Sequence, residues 1–554
     1  MTFPISRKTV LVILLVLFSS FSLGSFAKNR SQGGESVVPD LELFSKVVHK
    51  VKTFYVDDVD THELIIEAIE AMLADLDPHS QYLADLDYED LMVSTQGQFG
   101  GLGIFISFRD NYPTVISPIE GTPADRAGIQ GGDQIVEIEG EPAEGWRVQK
   151  AVRYLRGDPG TAVRFKVSRP GLDEPIEYNL VREKIKVKSV SYYGMFGDQG
   201  YVKLSSFSKT SRDELHNALR DLESQEMKGL VLDLRSNPGG LLQAAKSVAE
   251  LFLEKDKLVV YTKGRYEDHN QKYYAGKSRK HAGYPIVVMI NGASASASEI
   301  VAGALQDWDA GFVVGQTSFG KGTVQTVFPL TDTQAVKLTT AKYYTPSGRS
   351  IHKDEPKDEE LAQGSADRAD LAQSSAVRTD LSDDATREQT MDQSGLEEID
   401  RPIFHTSGGR VVYGGGGITP DLEFEPKEYG DLERRLERDG LFFTFAIDYS
   451  TKNEVKEDFE VNEDILNRFK GLIRDRGFEF EEEEFSGGSL EYVKKAITRE
   501  IVSKNFGRQA MYRVLLEKDE EFQRVLEICQ MAPTLAEMYT YAERERALKK
   551  ASVE

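Results

Sequence analysis

The chain has 554 residues, room for roughly three or four domains at ordinary domain size, with a globular balance of 40% hydrophobic and 29% charged residues. Its net charge of −23, with acidic runs such as FEFEEEEF (Phe478–Phe485), excludes a phosphate-backbone binder, which needs a basic face, and suits a soluble surface. The single cysteine, Cys529, excludes an internal disulfide framework and a multi-cysteine metal site, and the eight scattered histidines have no H-E-x-x-H or other metal spacing.

At the N-terminus Arg7 and Lys8 precede an apolar run, Val10–Phe18, and small residues ending at Ala27. That order predicts a secretory signal peptide over 1–27. The run is short of the ~20 residues of a spanning helix. Ser25–Ala27 matches the A-x-A cleavage pattern only loosely, which leaves an uncleaved inner-membrane anchor as the alternative; both imply export. Residues 35–95 read as an N-terminal helical region, with Asp60 and Glu63 at capping-box spacing and an end before Pro78. From Gly97 the texture changes to short strands and glycine turns, so that 96–185 reads as one small β-rich module.

Strands then alternate with helices, which predicts an α/β core over 186–352 and 405–426. GLVLDL (Gly229–Leu234) is a nearly continuous apolar run, interrupted only by Asp233, as suits a strand buried on both faces; it breaks at RSNPGG and continues as an amphipathic helix. PIVVMI (Pro285–Ile290), the turn NGAS and ASEIVAGALQDW repeat the pattern. Residues 353–404 lose nearly all large apolar side chains and carry a weak internal repeat, as a disordered polar insertion would. The charged segment 427–554, with Leu490, Val493, Ile497 and Ile501 on one helix face, is expected to be a separate C-terminal helical domain.

Two segments carry chemistry. NGASASASEI (Asn291–Ile300) places hydroxyls at a strand-to-helix junction, where a serine can act as nucleophile and free backbone N–H groups can hold an oxyanion. Taken alone, the same serines also suit a helix cap in a small-residue linker. GQTSFGKGT (Gly315–Thr323) has the G-x-x-x-x-G-K spacing of a phosphate loop, but Gly322 stands where the magnesium-binding hydroxyl belongs, which excludes that reading. Lys321 is instead a candidate base. A lysine serves so only when mostly neutral, which asks its ordinary pKa of ~10.4 to fall toward neutrality, a bias of about 4 kcal/mol that burial supplies.

SASASEIVAGALQD, followed by GQTSFGKGTVQ and preceded by LDLRSNPGG, resembles the carboxyl-terminal processing peptidases, or tail-specific proteases, over about 40–352 and 405–426. The resemblance implies a crotonase/ClpP-like α/β core and acyl transfer by a Ser/Lys dyad whose lysine lies twenty-five positions after the serine, with a glutamine four further on. Counting back from Lys321 gives Ser296, and forward gives Gln325; the spacing selects Ser296 over Ser294 and Ser298. By the same resemblance Ser296 is the nucleophile, Lys321 the general base and Gln325 its orienting partner, with oxyanion donors at Ala297 and in the pair Gly239 and Gly240.

Residues 96–185 resemble a PDZ domain inserted into this core. GGLGIF matches the loop whose backbone N–H groups capture a peptide's terminal carboxylate, which assigns tail binding to Gly101, Leu102, Gly103 and Ile104, with Leu102, Ile104 and Ile106 facing a pocket for apolar tails. In relatives an arginine of the LRG turn helps the PDZ domain gate the active site; here that residue is Arg156.

The expected protein is therefore an exported serine endopeptidase of the periplasm or cell envelope, needing no metal or other cofactor. Its partners are protein or peptide substrates with free, apolar C-termini, with no nucleic acid, and with the membrane only through the N-terminal segment. An adaptor and self-association into a homo-oligomer are left open. The rival is a catalytically silent PDZ scaffold, against which stands the joint presence of Ser296, Lys321 and Gln325.

Overall fold

The computed structural model describes residues 37–276, 280–281, 283–353, 401–426, 429–456 and 458–553. The segment 1–27 and nearly all of the polar insertion, 354–400, lie outside the described residues. The chain divides into two units between Leu76 and Asp77.

The first unit holds helices α1 (Val38–Phe54) and α2 (Thr61–Ala74). Asp60 caps α2, its carboxylate accepting from the backbone N–H of His62 at 2.7 Å and of Glu63 at 3.4 Å.

The second unit opens with strand β1 (Gln81–Ala84) and helix α3 (Asp85–Gln96), so the helical reading of 35–95 needs correcting. Gln81 pairs with Lys337 and Ala84 with Gln334 on a strand far along the chain, a non-local ladder that local periodicity cannot report.

Strands β2 (Gln98–Gly101) and β9 (Glu183–Lys186) pair antiparallel and close the neck of the β-module. Between them run β3 (Ile104–Arg109), β4 (Tyr112–Pro118), helix α4 (Pro123–Arg126), β5 (Gln134–Ile138), β6 (Glu141–Pro142), helix α5 (Val148–Leu155), β7 (Ala162–Ser168) and β8 (Ile176–Val181). The sheet order is β3–β4–β5–β7–β8, with β6 on β5, which leaves β3 at an edge. Leu102, Val115, Ile135, Val163 and Phe165 fill this module's own core.

The α/β core follows. Its main sheet has the order β10 (Val190–Phe196), β11 (Gln199–Leu204), β12 (Gly229–Asp233), β15 (Ile286–Ile290), β16 (Phe312–Gly315) and β21 (Leu422–Glu423), parallel from β11 onward. A second sheet joins β13 (Leu258–Gly264), β14 (Lys272–Tyr274), β17 (Thr323–Pro329) and β18 (Gln334–Tyr344) with β1. The hairpin β19 (Ile403–His405) and β20 (Val411–Tyr413) precedes β21. Arg401, which falls inside the expected insertion 353–404, is bound to the hairpin and beyond through Gly414 O and Thr419 Oγ1, so that boundary needs correcting.

Successive residues of a strand point to opposite sides, and a parallel sheet must bury both. Leu230, Leu232, Ile286, Val288 and Val313 pack against helices α6 (Ser211–Ser224), α7 (Leu242–Ala249) and α8 (Ala297–Asp307). Val231, Val287, Met289, Phe312 and Val314 face the other way. Their cover comes from the end of the chain: Tyr512 and Leu516 on helix α12 (Gly487–Glu517), Phe522 and Ile528 on α13 (Glu520–Met531), and Met538 on α14 (Leu535–Val553).

The segment 427–554 is therefore not one separate domain. Helices α9 (Asp431–Arg438), α10 (Leu441–Lys452), α11 (Glu463–Asp475) and the first part of α12 enclose a core of their own around Phe442, Phe445, Phe469 and Ile497. Gly507 then breaks α12 with φ +78° and ψ 176°, and the rest becomes the second layer of the main sheet. The helical lobe also reaches the β-module: Arg109 Nη1 donates to Gly440 O at 3.2 Å, and Lys504 Nζ donates to Gly131 O at 2.9 Å.

Phe522 is fully buried and meets the rings of Phe196 and Tyr201 edge-on, each at 4.9 Å. Phe522→Ala is expected to cost about 3–5 kcal/mol through the cavity it leaves, read as a lower urea midpoint. An unchanged midpoint would contradict the C-terminal layer's structural role.

Candidate active site

The chain leaves the carboxyl end of β15 at Asn291 and turns through three serines into α8. Two of the hydroxyls are spent inside the protein. Ser294 Oγ donates to Leu234 O at 2.8 Å, and Ser298 Oγ donates to Asn237 O at 2.8 Å; both side chains are fully buried. Ser296 lies between them, partly exposed, at the N-cap of α8. Its backbone sits at φ +53°, ψ −109°, a strained conformation for a residue with a Cβ, held by the bonds on either side.

The strain is held chiefly by Glu299, one turn into α8. Glu299 Oε2 accepts from the backbone N–H of Ser296 at 2.7 Å and of Lys321 at 3.0 Å. Its Oε1 accepts from Ser318 Oγ at 2.6 Å and Gly320 N at 2.8 Å. One fully buried carboxylate thus ties the serine turn to the loop that carries the lysine. Burial pushes its carboxyl up to about 7, against the pull of the four donors. Tyr343 adds a second tie, its hydroxyl donating to Ser296 O at 3.0 Å and also reaching Lys321 O.

Lys321 leads directly into β17. Burial lowers its ammonium pKa, and the positive charge of Lys337 lowers it further; Glu299 and Asp77 pull the other way. His79 is pushed down to about 4 by burial and then by Lys321, so the imidazole beside the lysine is neutral at pH 7. Gln325 Nε2 donates to Thr323 Oγ1 at 2.9 Å and Thr339 Oγ1 at 3.3 Å, and Thr339 Oγ1 donates to Asp77 Oδ1 at 3.1 Å. Among the described residues Gln325 makes no hydrogen bond to Lys321; the carboxamide oxygen is the atom left to meet it.

The glycine pair divides. Gly239 N–H donates to Asn237 Oδ1 at 2.9 Å, which removes it as an oxyanion donor and corrects that part of the expectation. Gly239 still has to be glycine: at φ +100° a Cβ there would lie 2.8 Å from Ser296 Cβ and 2.9 Å from Ala297 N. Among the described residues the N–H groups of Gly240 and Ala297 donate to nothing within the chain, so these two remain.

In the β-module the carbonyls of the GGLGIF loop are occupied. Leu102 O accepts from Ala124 N at 3.0 Å, and Gly103 O from Ile119 N at 2.8 Å. The N–H groups of Leu102 and Gly103 donate to nothing among the described residues. Gly101 lies at the end of β2, and Ile104 begins the edge strand β3. The Leu102 side chain is buried in the module's core, so it supports the loop rather than lining a pocket; Ile104 and Ile106 are only partly buried. Arg156 pairs with Asp90 at 2.5 Å and lies 5.1 Å from the Phe99 ring, at the neck of the module, without contact to Ser296 or Lys321.

Sequence reading missed Glu299, Tyr343, Asn237 and Asp77. Only Glu299 left a signal, the S-x-x-E capping-box spacing from Ser296.

Comparison with known proteins agrees with this architecture. Residues 198–359 match peptidase family S41, residues 114–169 match a PDZ domain, and residues 432–486 match the family described as "Probable PDZ-protease, C-terminal helical domain". Fold and matches together define a serine-type peptidase core carrying a PDZ domain and a helical lobe. The carboxy-terminal-processing protease of Bartonella bacilliformis is 42% identical over 349 residues, 62% of this chain and 80% of that protein. Carboxy-terminal processing protease CtpB of Bacillus subtilis is 36% identical over 56% of this chain and 66% of its own length. The carboxyl-terminal-processing protease of Synechocystis is 38% identical over 52% of this chain and 68% of its own. The chain belongs to the carboxy-terminal-processing protease family.

Two expectations follow. Glu299→Gln replaces one acceptor oxygen by a donor that faces other donors, so kcat should fall about 10²-fold with KM little changed, as measured by steady-state kinetics; an unchanged kcat would remove Glu299 from the site. If Lys321 acts as base, kcat/KM rises with pH as it loses its proton. Lys337→Met removes a like charge, lets Lys321 hold its proton more tightly, and should move that rising limb to higher pH; no movement in the pH profile would contradict the coupling.

Proposed function

We propose that the protein is an exported serine endopeptidase that binds a protein C-terminus in its PDZ domain and cleaves the chain with a Ser296/Lys321 dyad. The observation that carries this reading is the pair of hydrogen bonds from Ser296 N and Lys321 N to one carboxylate oxygen of Glu299, which fix the two segments against each other.

The chemistry follows from the groups present. Neutral Lys321 Nζ takes the proton of Ser296 Oγ as that oxygen attacks the peptide carbonyl. The tetrahedral oxyanion is met by Ala297 N–H at the start of α8 and by Gly240 N–H. Collapse breaks the C–N bond, and the lysine returns the proton to the departing amine. Water, deprotonated by the same lysine, then hydrolyses the acyl-enzyme. Gln325 orients the lysine through its carboxamide oxygen.

Tail recognition is the task of the 101–104 loop. Its free N–H groups at Leu102 and Gly103 suit a terminal carboxylate, and the exposed edge of β3 suits an added strand. Arg156, at the neck, is suited to gating the PDZ domain. Relatives named for carboxy-terminal processing support a substrate with a free C-terminus. Export rests on the order of residues in 1–27; among the described residues no helix is long and apolar enough to cross a membrane.

The test uses purified protein and its Ser296→Ala variant, each incubated with an unstructured polypeptide ending in Leu-Ala-Ala and followed by mass spectrometry. Fragments from the wild type alone are expected. Lys321→Ala should abolish turnover yet keep tail-peptide affinity, because carboxylate capture lies in another module. Absence of cleavage together with absence of labelling at Ser296 by a fluorophosphonate would favour a PDZ scaffold.

A further inference from the structure

The turn that carries Gly240 is braced from the end of the chain. It runs from Asp233 at the end of β12 to Gly240, and its exit is held by the pairing of Phe207 with Gly239 and Leu241. Ser236 stands at φ +56°, and its N–H donates to Asn291 Oδ1 at 2.7 Å. Asn237 O accepts from Ala295 N at 3.0 Å, so the turn and the serine segment share a backbone bond.

At the head of the turn stands Arg235, whose side chain is 14% exposed. It binds Asp233 through Nε at 3.0 Å and Nη2 at 2.6 Å. Asp233 is itself fully buried and accepts from Tyr201 OH at 2.7 Å. The other half of the guanidinium belongs to the C-terminal layer: Nη1 donates to Glu521 Oε2 at 2.9 Å and Nη2 to Asp519 Oδ2 at 2.8 Å. Asp519 is in turn fixed as the cap of α13, accepting from Phe522 N at 3.1 Å.

We infer that Asp519 and Glu521, some 280 residues downstream in sequence, are positioning residues for peptide hydrolysis: through Arg235 they hold the 235–240 turn and with it the Gly240 N–H that meets the oxyanion. The inference rests on the Ser296 and oxyanion-donor assignment above. Asp233 holds Nε and Nη2, and Lys203 Nζ donates to Arg235 O at 2.6 Å, so the head of the turn is anchored on the sheet side. The acidic pair adds the only hold on Nη1 among the described residues, and losing it loosens the guanidinium and the turn beside it. Because the charges lie outside the substrate groove of the PDZ domain, their removal should slow the chemical step and leave tail capture intact. The role makes the last two helices part of the catalytic scaffold as well as a cover for the sheet.

The experiment compares full-length wild type, the double variant Asp519→Asn/Glu521→Gln, and Glu527→Gln, an exposed carboxylate on the same helix that serves as control. Each is measured for kcat and KM on a polypeptide ending in Leu-Ala-Ala, for the rate of fluorophosphonate labelling at Ser296, for tail-peptide Kd and for thermal midpoint. We expect kcat and labelling rate to fall about tenfold in the double variant, with tail Kd unchanged and the control equal to wild type. A folded double variant with wild-type kcat would overturn the inference. So would a fall in kcat matched by equal loss of tail affinity, which marks general destabilisation. If the double variant does not fold, Glu521→Gln alone decides: a several-fold loss of kcat at unchanged KM supports the role, and wild-type kcat rejects it. Wild type that neither labels nor cleaves fails the dyad reading itself; wild type that labels, with the double variant equal to it, fails only this one.

Discussion

Everything in the site depends on one buried carboxylate accepting four hydrogen bonds. Glu299 joins the N-terminus of α8 to the loop before β17, with the Tyr343 hydroxyl and the bond from Phe319 N to Ser294 O as lesser ties between the same two segments. A carboxylate buried this deeply is costly unless every lone pair is used. Here Ser296 N, Lys321 N, Gly320 N and Ser318 Oγ use them. The same bonds hold Ser296 in its strained backbone, so positioning of the hydroxyl and of the lysine is a single problem with a single solution.

That clamp stands on a sheet with two covered faces. The helices next to it in sequence cover one side, and the last helices of the chain cover the other. The second cover is also the source of the acidic pair on Arg235, so the layer that keeps Val231 and Phe312 from water also bears on the turn opposite Ser296. The PDZ domain, entered and left through the β2–β9 neck, touches the helical lobe at Arg109, Gly131 and Gly132. The PDZ domain and the main sheet thus both pack against helix α12, through Lys504 and through Tyr512 and Leu516.

Much of this was legible in the sequence because the signals are local. GLVLDL and PIVVMI read as two-faced strands from their nearly continuous apolar content, and they are. The serine and lysine segments resembled a known peptidase family on motif alone. What stayed hidden is non-local. Nothing in Gln81–Ala84 announces a partner 250 residues away, and the apolar face of α13 does not say which sheet it covers. Gly239 and Gly240 look alike as residues; only the Asn237 side chain distinguishes them, by occupying one N–H. By local chemistry alone three serines at alternate positions look equivalent; family spacing singles out Ser296, and the carbonyls of Leu234 and Asn237 claim the other two. Glu299 shows in the sequence only as capping-box spacing from Ser296, whereas both its oxygens also bind a loop that periodicity could not bring near.

The most direct measurement of the central claim is the titration of Lys321 itself, by competitive trace acylation of its amine across pH with mass-spectrometric readout, set beside the pH dependence of Ser296 labelling by a fluorophosphonate. The account predicts that Lys321 titrates below the ordinary lysine range and that serine reactivity follows the same curve. A lysine that titrates like a free amine, or a Ser296 whose reactivity ignores it, would contradict the account.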